Sequence, residues 1–289
     1  MKILHPFLFF SIKYAGGTSD LMFKIAKAQY KKGLKPIILS GNYMFDNELR
    51  EKLPDVEFII LNSYFNKLGF SIMPGLWRAL NKELSDVDVV HMHTFRTFQN
   101  VLIYFFCRLK KIPYVIDAHG AVPYYSEKLL LKKFFDLVIG RRMLNNASAL
   151  IGETEVGKQE YLSIDPSLSQ DRLPILSPPF DTDEFLSLPK KGLFRSKFNI
   201  DENLKVISFL GRINEIKGND FLIEGFAQLL KKRDDVFLVL IGGDDGHMDF
   251  CKSLVKRSLN LSCIILPFAS MASEWQYSSD SIESSLFTR

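Results

Sequence analysis

The chain has 289 residues, of which 47% are hydrophobic, 24% charged and 13% aromatic. That length suits two domains better than one, and the composition excludes a chain that is disordered throughout. The formal net charge is only +4, which excludes a dedicated nucleic-acid binder, since such proteins carry a larger, clustered basic excess.

The cysteines and the amino-terminal segment favour a reduced, cytoplasmic location. The three cysteines are scattered: Cys107, Cys251 and Cys263. Without a C-x-x-C pair, neither a zinc ribbon nor a disulfide framework is expected. Residues 1–12 imitate a signal peptide, but His5 and Pro6 interrupt the apolar run and no A-x-A cleavage site follows. We therefore predict a buried first strand there.

Residues 1–180 alternate short apolar runs with longer amphipathic runs, a pattern typical of an α/β sheet. The predicted strands are 3–12, 36–39, 56–61, 87–92, 114–117 and 149–151. The predicted helices are 18–32, 77–84, 98–109 and 127–145.

Three prolines, Pro174, Pro178 and Pro179, mark a break, and we place a domain boundary near residue 180. A second alternation follows, with strands predicted at 205–210, 236–241 and 263–266 and helices at 219–232 and 249–259. Residues 267–289 are Ser-rich and show no period. Because a doubly wound sheet often has about six strands, the domain at 181–289 is predicted to be incomplete.

Glycines follow predicted strands at two places. Gly16 and Gly17 lie between the first strand and its helix, where backbone can approach a ligand and the helix N-terminus favours an anion. A plain strand-to-helix turn would show the same residues. The segment 241–244, Ile-Gly-Gly-Asp, offers a second close approach at a strand end.

Histidines follow two other predicted strands. His119 comes directly after the strand ending at Asp117, and ligands of open α/β sheets bind at the carboxyl ends of strands. His119 is therefore predicted to meet a substrate, the alternative being a loop histidine with a structural hydrogen bond. His91 and His93 share a face, which suits a metal pair, but no third ligand has a suitable spacing, and no metal is predicted. We expect His93 and Asp117 on the acceptor side.

Two cations open the second domain. Arg212 follows the strand 205–210, and Lys217 precedes the next helix. A planar guanidinium fork and a compact ammonium together suit a diphosphate, although two solvated loop cations would show the same pattern.

The predicted helix 127–145 is basic and amphipathic. The surrounding segment 97–144 holds eight basic and three acidic residues. Its apolar positions are Leu129, Leu130, Phe134, Leu137, Val138 and Leu144. Such a helix either lies on an anionic membrane surface or packs its apolar face in the core.

Taken in order, several segments resemble the retaining glycosyltransferases of family 4, also called group 1 glycosyltransferases. They are AGGTSDLMFKIAKAQYKKGLKPIIL, DVVHMHTF, YVIDAHGAVP, RRMLNNASALIGETE, PPFDTDEF, FLGRINEIKGNDFLIEGFAQL and VFLVLIGGDD. The resemblance covers residues 1–266 and implies an α/β fold of two Rossmann-like doubly wound domains, called GT-B.

The resemblance also implies a reaction. A UDP- or GDP-linked sugar binds the carboxyl-terminal domain and is transferred, with retention and without a metal, to an acceptor on the amino-terminal domain. Arg212 and Lys217 match the residues that stabilise the leaving diphosphate, and His119 matches a histidine that contacts the donor sugar. The glycines expected at the donor are Gly16, Gly17, Gly211 and Gly243.

The last third departs from the family, which carries two glutamates separated by seven residues. Glu274 and Glu283 are separated by eight and lack the surrounding pattern, so we do not assign them. We interpret 267–289 as a tail produced by a frameshift or early stop, which would leave a truncated enzyme.

Three functions are consistent with these features. The first is an enzyme of polysaccharide or cell-envelope synthesis, cytoplasmic or peripheral on the inner face of the cytoplasmic membrane, with a sugar or lipid-linked acceptor. The second is an inactive remnant that serves as a binding module. The third is a nucleotide-sugar 2-epimerase, although the carboxylates that an epimerase needs are not found.

Overall fold

The computed structural model describes residues 1–11, 17–67, 70–123, 129–180, 182, 186, 188–258 and 262–266. Contacts divide the chain into two compact units, Met1–Phe180 and Asp181–Arg289. Each unit has its own buried apolar clusters. The acceptor and donor roles expected of the two domains remain predictions.

The first unit is built on a six-stranded parallel sheet. The strands of the unit are β1 (Lys2–Phe7), β2 (Lys35–Gly41), β3 (Glu57–Leu61), β4 (Tyr64–Lys67), β5 (Phe70–Ile72), β6 (Val89–His93), β7 (Tyr114–Asp117) and β8 (Ala149–Ile151). The sheet has the order β3-β2-β1-β6-β7-β8, while β4 and β5 form a separate hairpin. The strand order reverses between β1 and β6, and the crevice at such a switch point is where open α/β sheets bind ligands.

Both faces of this sheet are buried, which explains its continuously apolar strands. Ile37 and Leu39 of β2 pack in one apolar cluster, whereas Ile38 packs in another, as the alternation of side chains along a strand requires. The first strand is shorter than predicted and ends at Phe7. Beyond it, Phe10 is nevertheless buried and packs as a loop residue against Phe45.

The helices of the first unit are α1 (Gly17–Lys31), α2 (Asn47–Glu51), α3 (Leu76–Glu83), α4 (Phe98–Lys110), α5 (Leu129–Phe135), α6 (Arg141–Asn146) and α7 (Glu155–Ile164). Threonines cap two of them, since the side chains of Thr97 and Thr154 accept from the backbone N–H groups of Asn100 and Gly157. A π turn at Asp136–Gly140 connects α5 to α6, so the helix predicted at 127–145 is interrupted.

The second unit contains a three-stranded parallel sheet in the order β11-β10-β9. Its elements are α8 (Leu193–Lys197), β9 (Lys205–Leu210), α9 (Asn219–Leu230), β10 (Val236–Ile241), α10 (Met248–Ser258) and β11 (Cys263–Leu266). The predicted α/β class is confirmed, and these three strands have the predicted bounds. Positions 267–289, including the predicted tail, lie outside the described residues. Across the described ranges, no helix combines the length and apolar character that crossing a bilayer requires.

Candidate functional site

The polar residues of the first unit gather at the carboxyl ends of neighbouring strands. His93 ends β6 and pairs in register with Asp117, which ends β7. Asp117 pairs in turn with Ile151 at the end of β8. The residues that follow these strands, His119 and Glu153, therefore meet at one edge of the sheet.

A pocket of about 100 Å³ opens at this edge. It is lined by Asp117, Ala118, His119, Gly120, Val122, Ile151, Gly152, Glu153, Thr154, Val156, Gly157, Glu160 and Tyr161. Ligand pockets typically have volumes of about 300–1,000 Å³, so this pocket by itself holds only part of a ligand.

His119 lies between two carboxylates in this pocket. Its Nδ1 is 2.8 Å from Oε1 of Glu153 and 3.2 Å from Oδ1 of Asp117. The hydrogen bond with His119 lowers the pKa of Glu153, whereas burial raises the pKa of Asp117 to about 6. His119 has a φ of +49°, a left-handed conformation that is uncommon outside glycine and often found at functional sites.

Three further histidines are buried beside it. Nδ1 of His5 is 2.9 Å from Nε2 of His93, and Nδ1 of His93 is 2.8 Å from Nε2 of His119. Burial lowers the pKa of His5 to about 4 and lowers the pKa values of His91 and His93 well below 6.5. These imidazoles are therefore neutral at pH 7.

The structure supplies the third imidazole that the sequence did not reveal. One ring nitrogen each of His5, His91 and His93 lies within 4.8 Å of the others. His5 is a lone histidine in the first strand, and the sequence around it does not indicate a partner. It meets the two histidines of β6 because β1 and β6 are neighbours in the sheet. One ligand atom each of Asp117, His119 and Glu153 also lies within 4.8 Å of the others. The expectation that no metal binds stays a prediction.

The residues predicted for this site lie close together. Asp117 and His119 line the pocket, and His93 is 2% exposed and lies within hydrogen-bond distance of His119. The acceptor-side roles of His93 and Asp117 and the donor-sugar role of His119 stay predictions. Glu153 was missed, although it follows a strand end just as His119 does. Gly17 opens α1 as an exposed residue, and Gly16 lies outside the described residues.

In the second unit, the expected donor residues lie on the loop after β9. Arg212 is exposed and donates from NH1 to Oδ2 of Asp245 at 2.7 Å, and Asn214 donates to the same oxygen at 2.9 Å. Lys217 is exposed at the end of a short 3-10 turn, Glu215–Lys217. The loop therefore carries two cations at the carboxyl end of the sheet, one of them paired with a carboxylate.

Gly211 and Gly242, which follow β9 and β10, approach each other closely. A Cβ built on Gly242 would lie 1.7 Å from the carbonyl oxygen of Gly211, whereas nothing lies within 4 Å of a Cβ on Gly243. Only glycine fits at position 242. Gly243 leaves open space beside the strand end.

Two family profiles match the chain. The profile described as Glycosyltransferase Family 4 matches residues 15–184, and the one described as Glycosyl transferases group 1 matches residues 190–278. The second match extends past Leu266, the residue at which the resemblance was expected to end.

Curated relatives and a solved structure agree with these profiles. A D-inositol 3-phosphate glycosyltransferase of Gordonia bronchialis is 31% identical over 117 residues, which are 38% of this chain and 24% of the relative. A protein of the same name from Kineococcus radiotolerans is 27% identical over 140 residues, 44% of this chain and 31% of the relative. The matches thus span less than a third of these relatives.

The crystal structure of Anabaena HepE in complex with UDP and glucose shares the fold. Its TM-score is 0.72 at 16% identity, over 93% of this chain and 69% of HepE. With the first profile covering more than half of its residues, the chain belongs to glycosyltransferase family 4.

Proposed function

We propose that this chain provides a glycosyltransferase activity that moves a sugar from a UDP- or GDP-linked donor to a cell-envelope or polysaccharide precursor, with retention of configuration. The observation that carries the proposal is the pocket of His119, Glu153 and Asp117 at the carboxyl edge of the sheet, in a chain of this family. The UDP and glucose bound to HepE support a nucleotide-sugar donor here.

In this proposal the two cations of the second unit bind the diphosphate. The Arg212–Asp245 pair is more than two-fifths exposed on both sides, and such pairs contribute little free energy. A diphosphate can therefore replace Asp245 as the partner of Arg212. The fixed positive charges of Arg212 and Lys217 would then stabilise the negative charge that develops on the leaving diphosphate, so no metal is required for that role.

The double substitution Arg212→Ala/Lys217→Ala tests this assignment. Removing one donor from a preorganised charge site typically lowers kcat by about 100-fold or more, and we expect at least that loss in kcat/KM. The matched control is Lys205→Ala/Arg233→Ala, because these cations lie at the amino end of the same sheet, where both pair with Asp235. Transfer is measured on UDP- and GDP-sugars with and without EDTA.

The outcomes separate the functions considered. Loss in the double variant but not in the control supports the assignment, and activity within about threefold of wild type contradicts it. Inhibition by EDTA contradicts the metal-free mechanism. A wild-type chain that binds no UDP or GDP by calorimetry contradicts the transferase proposal, and one that binds an acceptor without transfer is the inactive binding module.

We further propose that the acceptor is reached at an anionic membrane surface. Of the six apolar positions predicted in the helix at 127–145, only Leu144 is buried. Leu130 is 82%, Leu137 72% and Phe134 63% exposed. The exposed cations Lys133, Arg141 and Arg142 share this segment, so apolar and basic groups are presented together, as they are in helices that lie on anionic lipid.

Vesicle binding tests the membrane contact. We expect the protein to sediment with vesicles of anionic phosphatidylglycerol more than with phosphatidylcholine, and Leu130→Asp/Leu137→Asp to reduce that fraction several-fold, because carboxylates oppose both insertion and attraction. The control is Phe250→Asp, a half-exposed position on α10. Equal binding of the double variant and wild type contradicts the proposal.

A further inference from the structure

A continuous chain of hydrogen-bond contacts crosses the interior of the first unit. Oε1 of Gln29 on α1 is 2.8 Å from Nε2 of His5, and His5 contacts His93 at 2.9 Å. His93 contacts His119 at 2.8 Å, and His119 contacts Oε1 of Glu153 at 2.8 Å. We call these five residues the histidine chain. It joins a half-buried glutamine to the pocket.

The number of protons in this chain is fixed by simple chemistry. A neutral imidazole has one N–H donor and one bare acceptor nitrogen, and an ionised carboxylate only accepts. With the amide oxygen of Gln29 at one end and the carboxylate of Glu153 at the other, both ends accept. Four links then need four protons, but three neutral imidazoles supply only three. One link lacks a proton.

Three changes would supply the missing proton. A protonated Glu153 is disfavoured, because the hydrogen bond with His119 lowers the pKa of that carboxyl. An imidazolium is disfavoured because it buries a charge: burial lowers the pKa values of His5 and His93, and the His119 side chain is only 3% exposed. The third change is a half-turn of the Gln29 amide about its last bond. That rotation replaces the oxygen with an NH₂ group, which donates, and it buries no charge.

We propose that the Gln29 amide donates to Nε2 of His5, and that the histidine chain thereby fixes the tautomer of His119. Every link then runs in one direction. His5 donates from Nδ1 to His93, His93 donates from Nδ1 to His119, and His119 donates from Nδ1 to Glu153. Gln29, His5 and His93 are positioning residues for His119.

The groups that face the chain reinforce this direction. Oδ1 of Asp117 makes no hydrogen bond among the described residues, but it lies 3.2 Å from Nδ1 of His119, so this nitrogen faces two carboxylates and carries the proton. Nε2 of His91 is buried 3.9 Å from Oδ2 of Asp117, and the Tyr161 hydroxyl accepts from the backbone N–H of Ala118 at 3.0 Å. Among the described neighbours, neither of these two groups breaks a link of the chain.

The fixed tautomer decides what His119 offers to a ligand. Its Nε2 accepts from His93 in the interior, whereas its Nδ1–H points to Glu153, whose side chain is 29% exposed. A ligand therefore reaches His119 by displacing Glu153, and it meets a hydrogen-bond donor. The site selects a ligand oxygen that accepts. Only the involvement of His119 in sugar transfer rests on the proposed function; the tautomer does not.

The same histidines could be read as a metal site, but their geometry favours the chain. Tetrahedral zinc with Zn–N near 2.0–2.1 Å keeps its ligand nitrogens about 3.3 Å apart, and His5 and His93 are closer, at 2.9 Å. The rings of His91 and His93 are stacked at an interplanar angle of 26°. The ring planes of these two imidazoles are therefore close to parallel, whereas the ligands of a tetrahedral ion approach it from well-separated directions.

The test is nitrogen NMR of the full chain with ¹⁵N-labelled histidine at pH 7.5, which distinguishes Nδ1–H, Nε2–H and doubly protonated rings. We expect His5, His93 and His119 all to be neutral and protonated at Nδ1. Protonation of His5 at Nε2, an imidazolium in the chain, or signals that shift with added Zn²⁺ and return with EDTA would each overturn the proposal.

The substitution Gln29→Glu tests the direction, because a carboxylate at that end only accepts. We expect His5 to become protonated at Nε2, so that Nε2 of His5 no longer gives a bare-nitrogen signal. Gln159→Glu is the matched control, since it adds the same charge to an exposed site on α7 outside the chain and should leave all tautomers unchanged. Unchanged tautomers in Gln29→Glu overturn the proposal, whereas absent sugar transfer by wild type overturns only the proposed function.

Discussion

At the scale of single residues, the buried histidines make the stability of the first unit depend on pH. The unfolded chain binds protons at these histidines below their ordinary pKa of 6.5, whereas folded His5 does so only near pH 4. His91 and His93 are shifted in the same direction. A group whose pKa is lowered by folding in this way makes the protein less stable as the pH falls. Asp117 acts oppositely, because its pKa is raised to about 6.

We therefore expect the free energy of unfolding to fall between pH 7 and pH 5, since three histidines outweigh one carboxyl. Each pKa unit corresponds to about 1.4 kcal/mol, so His5 alone contributes about 2 kcal/mol at pH 5. The measurement is urea unfolding followed by Trp77 fluorescence in a Trp275→Phe background, which leaves a single tryptophan. His5→Asn should reduce this dependence of the free energy of unfolding on pH. A wild-type protein that is equally stable at pH 7 and pH 5 would contradict the prediction.

The site was predictable only where residues end strands. Asp117 and His119 follow a recognisable apolar strand, and the carboxyl ends of parallel strands share one edge. His5 was not predictable as a partner, because nothing local in β1 shows which strand lies beside it. Glu153 carried the same strand-end signal as His119 and could have been found.

At the scale of elements, a buried ion pair ties the interrupted helix to the pocket wall. The π turn places Asp136 inward, where its carboxylate accepts from Nε and NH2 of Arg96 at 3.0 and 2.6 Å. NH1 of the same guanidinium donates to the carbonyl oxygens of Ala121 and Val122, and Val122 lines the pocket. π turns are rare and frequently lie at functional sites.

Arg96→Met should destabilise the first unit by about 3–5 kcal/mol, because Asp136 stays buried without this guanidinium. The double variant Arg96→Met/Asp136→Leu should recover much of that loss, since it also removes the carboxylate that would otherwise stay buried without its guanidinium. Urea unfolding of both variants measures the difference. A single variant as stable as wild type would show that the pair is not holding the helix.

The sequence predicted strand bounds best where a short apolar run has clear ends. The strands at 114–117, 149–151 and 205–210 have their predicted bounds, although β9 is only partly buried. The helix predicted at 127–145 is helical over its described residues, but the π turn within it was not predicted, and its buried face includes an acidic residue, Asp136. The β4–β5 hairpin and α7 were not predicted, because the polar residues within these elements obscure the hydrophobic periodicity.

At the scale of the whole molecule, the described residues form two units, and each unit has apolar clusters of its own. The clusters of the first unit involve residues up to Leu173, and those of the second begin at Phe194. The length predicted two domains, and the prolines near residue 180 predicted a boundary there. Neither could predict which polar groups each sheet brings together, because that depends on strand order.

The near contact between Gly242 and Gly211 limits how the second sheet can diverge. A side chain at position 242 would push away the backbone that precedes Arg212, so descendants of this sequence can hardly alter that position without moving the cation. One residue further on, Gly243 has free space around it. New specificity at this edge can therefore evolve through position 243 while position 242 stays glycine.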